Sequence, residues 1–292
     1  MINKVIRKIR RDGFLSIPSA ILTKIKWFIY QPNVILEKLP IKPIMLGNEY
    51  GGKRFFDFKE LYGAKIISCG LGEDASFDVE FAAKYNSKVI IVDPTPSAIV
   101  HYSYIVECIR LGSEKFYLDH GVESIKSYDL SGISEDQLLL EKFALWTKVS
   151  KLNFFAPKNP KHVSYSITNF QNNYSLSTDY EHIEVDSVTL KMLIDKYELD
   201  ELHLLKIDIE GAEVEVLKNM MENEIYPTQI AVEFDGFNVP SKKAQSDYSE
   251  VDALLREKGY LCYDFDGLAD FLYVQSNRVD KELKDLKLVN TS

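Results

Sequence analysis

Cysteine is scarce in this chain. The three present, Cys69, Cys108 and Cys262, are too few and too scattered for a disulfide framework or a zinc cluster, which points to a reducing, cytoplasmic setting. Long apolar runs are missing as well. In the N-terminal region Lys24 and Lys26 interrupt the apolar residues well before the ~20 that a membrane span needs. No compact apolar stretch there leads to a small-residue cleavage site, so a secretory leader is not expected. Positive charge is in deficit: 35 Lys and Arg face 44 Asp and Glu, a net charge of −9. An acidic chain of this kind is a poor general binder of phosphate backbones, so no nucleic-acid partner is expected.

What is present is enough for one large α/β domain with an arm. The boundaries read as 1–45 for the arm, 46–280 for the domain and 281–292 for a tail. Charge is unevenly divided between them. Residues 1–30 hold seven basic residues against the single acid Asp12, a net +6, which leaves −15 for the rest. Phe14, Ile17, Ile21, Ile25 and Phe28 recur at spacings of three and four, so the arm reads as a basic amphipathic helix. It is expected either to lie on an anionic surface at the inner membrane face or to pack on the protein itself or on a second subunit.

The stretch around which the domain is organised is KIISCGLGEDASFD, Lys65 to Asp78. An apolar strand runs into Gly70 and Gly72 and the loop opens into a helix, a turn that presents bare backbone N–H groups and a positive helix end to a ligand. A second strand, Lys88 to Val92, ends in Asp93 about twenty residues on, where a carboxylate can accept from ribose hydroxyls. Taken together these read as a nucleoside cradle. Gly70, Gly72 and Ala75 also satisfy the GxGxxA pattern of NAD-dependent oxidoreductases, which is the competing expectation.

Further along, a helix is expected from Ser97, as N-cap, to about Gly112. Leu138 to Trp146 reads as the third strand, with Lys151 to Phe155 and Glu184 to Val188 as further strands. Pro157 to Leu176 is a long polar loop, and its His162, Ser164, Tyr165 and Ser166 are candidate substrate contacts. LHLLKIDIEGAE, Leu202 to Glu213, is a buried strand ending in Asp208 and Glu210, with a helix expected from Gly211. Gln229 to Phe234 ends near Glu233 and Asp235. Strands alternating with helices predict a doubly wound, mostly parallel sheet, and two final strands with no helix between them predict an antiparallel hairpin at one edge.

KIDIEGAEVEVL, with VDSVTLKMLI before it and VEFDG after it, resembles the FkbM family of methyltransferases, within the class I Rossmann-like fold. The resemblance spans roughly Phe56 to Val274 and implies S-adenosylmethionine (SAM) as cofactor and O-methylation of a sugar hydroxyl on a glycan or small-molecule acceptor. It implies cofactor contacts from Ser68, Cys69, Gly70, Leu71, Gly72, Glu73 and Asp74, from Asp93, Pro94 and Thr95, and from Ala144, Leu145 and Trp146. The chain departs from the family pattern at Ser68, where an acid is usual, and Glu73 or Asp74 is the expected substitute. Asp208 is the first candidate for a base, with Glu210 as its partner or as the cap of the next helix, and Glu233 and His162 in reserve. No dedicated metal ligands are read, although these carboxylates offer an alternative seat for a divalent ion. A non-catalytic scaffold on the same fold, and an oligomer, stay open.

Overall fold

A strict two-residue alternation in the central strands decides the architecture. In β3 (Lys65–Cys69), β4 (Lys88–Val92) and β9 (Leu204–Ile207), both side-chain sets are mostly apolar and buried, so neither face of the sheet can meet water. Ile67, Cys69, Ile90, Val92, Leu205 and Ile207 enter one core, whereas Ile66, Val89, Ile91 and Leu204 enter the other. Helices must cover both faces, and they do.

The structure, a computed structural model, describes residues 19–112, 127–156, 165–169, 175, 177 and 179–279, with the side chains of 19–24 excepted. An N-terminal helix α1 (Ser19–Tyr30) precedes a small hairpin, β1 (Ile44–Leu46) with β2 (Lys53–Phe55). After β3 come α2 (Ser76–Tyr85), β4, α3 (Pro96–Leu111) and β5 (Leu138–Glu141). Next are β6 (Ala144–Leu145), β7 (Lys151–Phe155), β8 (His182–Val188), α4 (Leu190–Lys196), β9, α5 (Glu213–Glu222) and β10 (Gln229–Glu233). The chain closes with α6 (Lys242–Glu257), β11 (Tyr260–Phe265) and β12 (Asp270–Gln275). The seven-stranded sheet runs β11-β12-β10-β9-β3-β4-β5, and within it β12 alone is antiparallel to its neighbours. The doubly wound sheet and the antiparallel hairpin match the expectation.

Three boundaries differ. The expected strand Leu138 to Trp146 is two strands: β5 ends the main sheet, and β6 pairs with β8 in a second, three-stranded sheet with β7. Apolar run length could not reveal that break. The helix expected from Ser97 starts at Pro96 with Thr95 as N-cap, since proline fits the first helical position. The helix expected from Gly211 starts at Glu213, and Gly211 instead takes φ +98° in the approach to it.

Candidate functional site

The carboxyl ends of β3, β4, β9 and β10 enclose a cavity of roughly 640 Å³, at the edge of the sheet where open α/β folds bind ligands. Gly70 turns there with φ +85°, and a Cβ would stand 1.7 Å from the carbonyl oxygen of Asp208. The neighbouring backbones are joined as well, Asp208 N–H donating to the Cys69 carbonyl (3.0 Å) and Gly70 N–H to that of Val92 (3.0 Å). Gly72 differs: it has φ +55°, but nothing lies within 4 Å of its missing Cβ, so it supplies conformation rather than clearance.

Asp93 ties this loop down. Its Oδ2 accepts the N–H groups of Leu71 (2.9 Å) and Gly72 (3.0 Å), and its Oδ1 accepts the N–H (2.8 Å) and hydroxyl (2.6 Å) of Thr95. All four acceptor positions of the carboxylate are thereby engaged, so a ribose diol must share or exchange them. Farther round the loop, Ala75 N–H donates to the Tyr128 hydroxyl, which meets His101 Nε2 at 2.8 Å. Burial pushes His101 down to about 4, so the ring is neutral and Nε2 can accept.

The acid missing at position 68 has a counterpart in α2. Asp78 is fully buried, and burial pushes its carboxyl up to about 6, while Lys206 and then Ser68 draw it back toward the charged form. Glu73 and Asp74 both line the cavity, as expected of the substitutes for that acid. Asp74 Oδ1 accepts the N–H of Ser76, whereas its buried Oδ2 has no hydrogen-bond partner.

Opposite the loop is a charge cluster built around a lysine. Lys53, on β2, is 3% exposed and places Nζ 2.6 Å from Glu233, 2.6 Å from Asp270 and 3.2 Å from Asp208. Burial opposes its charge, but Asp208, Glu233 and Asp270 outweigh that and hold the ammonium well above its ordinary value. Burial is the largest single influence on Asp208 and pushes it upward, but Lys53, Lys206 and its hydrogen bonds together outweigh it and leave it below the usual carboxylate range. Glu233 is pushed the other way, by burial first and then by the charge of Asp208. Two neighbouring carboxyls with their affinities for a proton driven apart are a common basis for acid and base roles. Lys206 donates to the Gly70 carbonyl at 2.5 Å and so ties this cluster to the glycine loop.

Asp235 completes the wall. It is 1% exposed, its Oδ1 accepts from Asn238 (2.9 Å), and burial, then Glu210, keep its carboxyl well above the ordinary value. Asp208, Glu233 and Asp235 each bring an oxygen within 4.8 Å of the others, a spacing that a divalent ion accepts. Lys53 already lies against two of the three.

The cavity unites most of the residues expected to form it. Gly70 to Asp74, Asp93 to Thr95, Ala144, Leu145, Asp208, Glu210 and Glu233 all line it. Ser68 and Cys69 lie beneath it in the sheet, and Trp146 packs against the core behind it. Glu210, at φ +55°, is not the helix cap: Glu213 is the side chain that accepts from Gly211 N–H, at 2.7 Å. Asp208 and Glu233 are joined through Lys53. His162 and Ser164 lie outside the described residues, while Tyr165 lines the wall and the Ser166 hydroxyl donates to the Glu210 carbonyl at 2.5 Å. Phe154, not expected there, also lines the cavity; Tyr50, read from sequence as a surface residue that could cover a ligand, lines it too, and Lys53, read the same way, is buried against its carboxylates. Lys53 sits 180 residues from Glu233, and no local pattern marks that pairing.

Comparison with curated proteins gives no significant match. The family described as the methyltransferase FkbM domain matches residues 63–262, from the turn before β3 to the third residue of β11. That span holds the glycine loop, Asp93, Asp208 and Glu233, and it covers well over half of the sequence. The chain therefore belongs to the FkbM methyltransferase family.

Proposed function

We propose that this protein is a SAM-dependent O-methyltransferase whose acceptor is a hydroxyl of a sugar, on a glycan or a glycosylated small molecule. The observation that carries the reading is one continuous cavity with a glycine cradle on one wall and Asp208 and Glu233, both paired with the buried Lys53, on the other. The residues present suit the cofactor. Gly70 and Gly72 leave the loop bare, and the unpartnered Asp74 Oδ2 suits the ammonium of its methionine part. Pro94, Thr95, Ala144 and Leu145 would flank the adenosine, with Asp93 at the ribose. When bound, SAM supplies an electrophilic methyl group on a sulfonium.

The chain's own task is then to hold the acceptor oxygen in line and to take its proton, since a protonated hydroxyl is a weak nucleophile. Asp208 and Glu233 act as a pair, because both contact Lys53 and each alters the other's titration. Asp208, held ionised, orients the hydroxyl, and Glu233, with its higher proton affinity, is suited to receive the proton. Tyr50, exposed at the rim, offers a flat apolar face to a sugar ring.

Calorimetric titration with SAM and S-adenosylhomocysteine, beside NADH, tests the cofactor. Binding of the first two and not of NADH is expected, and the reverse pattern would sink the proposal in favour of an oxidoreductase. Transfer of labelled methyl to a panel of sugars should then fall ~10²–10⁴-fold in Asp208→Asn or Glu233→Gln.

A further inference from the structure

The catalytic reading leaves one apolar surface unused. In α1, Trp27 and Tyr30 are half-buried, and the helix packs against α6. Ile25, Phe28 and Ile29 recur at spacings of three and four, so they form one stripe, and they are 43%, 74% and 56% exposed. Lys26 beside them is exposed too. A helix that is apolar on both sides but covered on one calls for a second apolar partner.

The chain after α1 fixes where this stripe stands. Gln245 Nε2 donates to the Gln31 carbonyl (3.0 Å) and Arg256 Nη2 to that of Ile35 (2.8 Å), so residues 31–35 are strapped along α6. Gln245 lies in the first turn of α6, the end that follows Asn238 and Val239 of the cavity wall. The chain just after α1 is thus held against the first turn of α6, six residues beyond Val239 of the cavity wall.

The geometry points to a peripheral membrane contact, in which Ile25, Phe28 and Ile29 enter the interface of an anionic bilayer and the exposed Lys26 beside them meets its headgroups. Charge selects this occupant. The arm carries +6 and the remainder −15, so an anionic surface attracts the one and repels the other, which orients the molecule. Symmetric pairing of two copies through the same stripe would instead bring two +6 arms together. The contact holds whatever chemistry the cavity performs.

Cosedimentation of the full chain with vesicles of phosphatidylcholine, alone or with about one third phosphatidylglycerol, tests this. Binding to the anionic vesicles is expected to be at least ~10-fold tighter, and to weaken as salt shortens the screening length. Phe28→Glu with Ile29→Glu should lower it about tenfold or more while leaving the melting temperature unchanged, because both side chains are exposed. Equal partition into the two kinds of vesicle would overturn the inference. So would undiminished binding of the double variant, or a dimer in light scattering that the double variant dissociates.

Discussion

Removing Lys53 should steepen the loss of stability that rising pH brings to this protein, in which Glu233 and Asp270 already sit above the usual carboxylate range. Lys53→Met keeps the length of the side chain and deletes one charge from among three carboxylates at 2.6, 2.6 and 3.2 Å. At an effective dielectric constant of about 20 each contact is a gross attraction of roughly 5–6 kcal/mol, most of it offset by desolvation. Asp270, at 39% exposed, contributes least, because water screens it. Breaking a buried ion pair from one side costs about 3–5 kcal/mol, or roughly 6–20 °C in a domain of this size. The sign follows from the carboxyls left behind. In the parent, the depressed Asp208 contributes stability above its unfolded value of 3.8 and loses it as pH falls through the lower folded value. In the variant, Asp208, Glu233 and Asp270 all move up, so stability falls as pH rises from about 4 toward their new folded values. Thermal melts from pH 4 to 8 should show a small deficit at the acid end, growing to its full size near neutrality. Adding Glu233→Gln should recover part of it at pH 8 and little at pH 4. A deficit of equal size at every pH would mean that Lys53 acts by packing alone, and the electrostatic account of the cluster would be wrong.

The glycines of the loop separate clearance from conformation. Gly70→Ala should abolish SAM binding in calorimetry, because the Cβ strikes a backbone carbonyl, whereas Gly72→Ala, with open space above it, should lose only about tenfold; equal losses would contradict the steric argument. Asp78→Asn should raise the melting temperature at pH 7.5. Burial pushes this carboxyl to about 6, so the folded state loses stability as pH rises from about 4 to 6, and removing the charge returns up to roughly 3 kcal/mol. A variant that tracks the parent's pH profile would show that Asp78 is not the titrating group. Asp93→Asn cannot accept all four hydrogen bonds with its single carbonyl oxygen. Its SAM dissociation constant should rise at least tenfold, and an unchanged value would remove Asp93 from the cradle.

Sequence made the scaffold readable because strand burial is a local matter. KIISC, KVIIV and LLKI carry apolar residues on both faces and are buried along almost their whole length, and only a sheet covered on both faces accommodates that. GLGED and KIDIEGAE carried the site, since turn chemistry and strand-end carboxylates are encoded where they act. The contacts that join distant segments were not readable. Nothing local marks Lys53 as buried, and only the packing of β2 against β10 and β12 puts it beside Asp208. Nothing local marks Asp78 either, in the first turn of its helix, yet the fold buries it completely. The break between β5 and β6 lay inside a run, LLLEKFALW, whose composition does not change across it. Asp93 was found at the expected position, but its saturation by the glycine loop depends on how two loops close on each other.

With no side chain at position 70, the carbonyl of Asp208 fills the space, and that single occupied gap constrains how descendants of this protein can diverge. A shift of the loop alone, or of the strand alone, produces a collision, so harmful changes at either place are rescued only by a matching change at the other. Substitutions in these two segments are therefore expected to depend strongly on each other. The rim is under no such constraint: Tyr50 and Val239 are 65% and 40% exposed. New acceptor preferences should therefore arise by substitution in the loops around Tyr50 and Val239, and a mutant library aimed there will yield more functional variants than one aimed at the glycine loop.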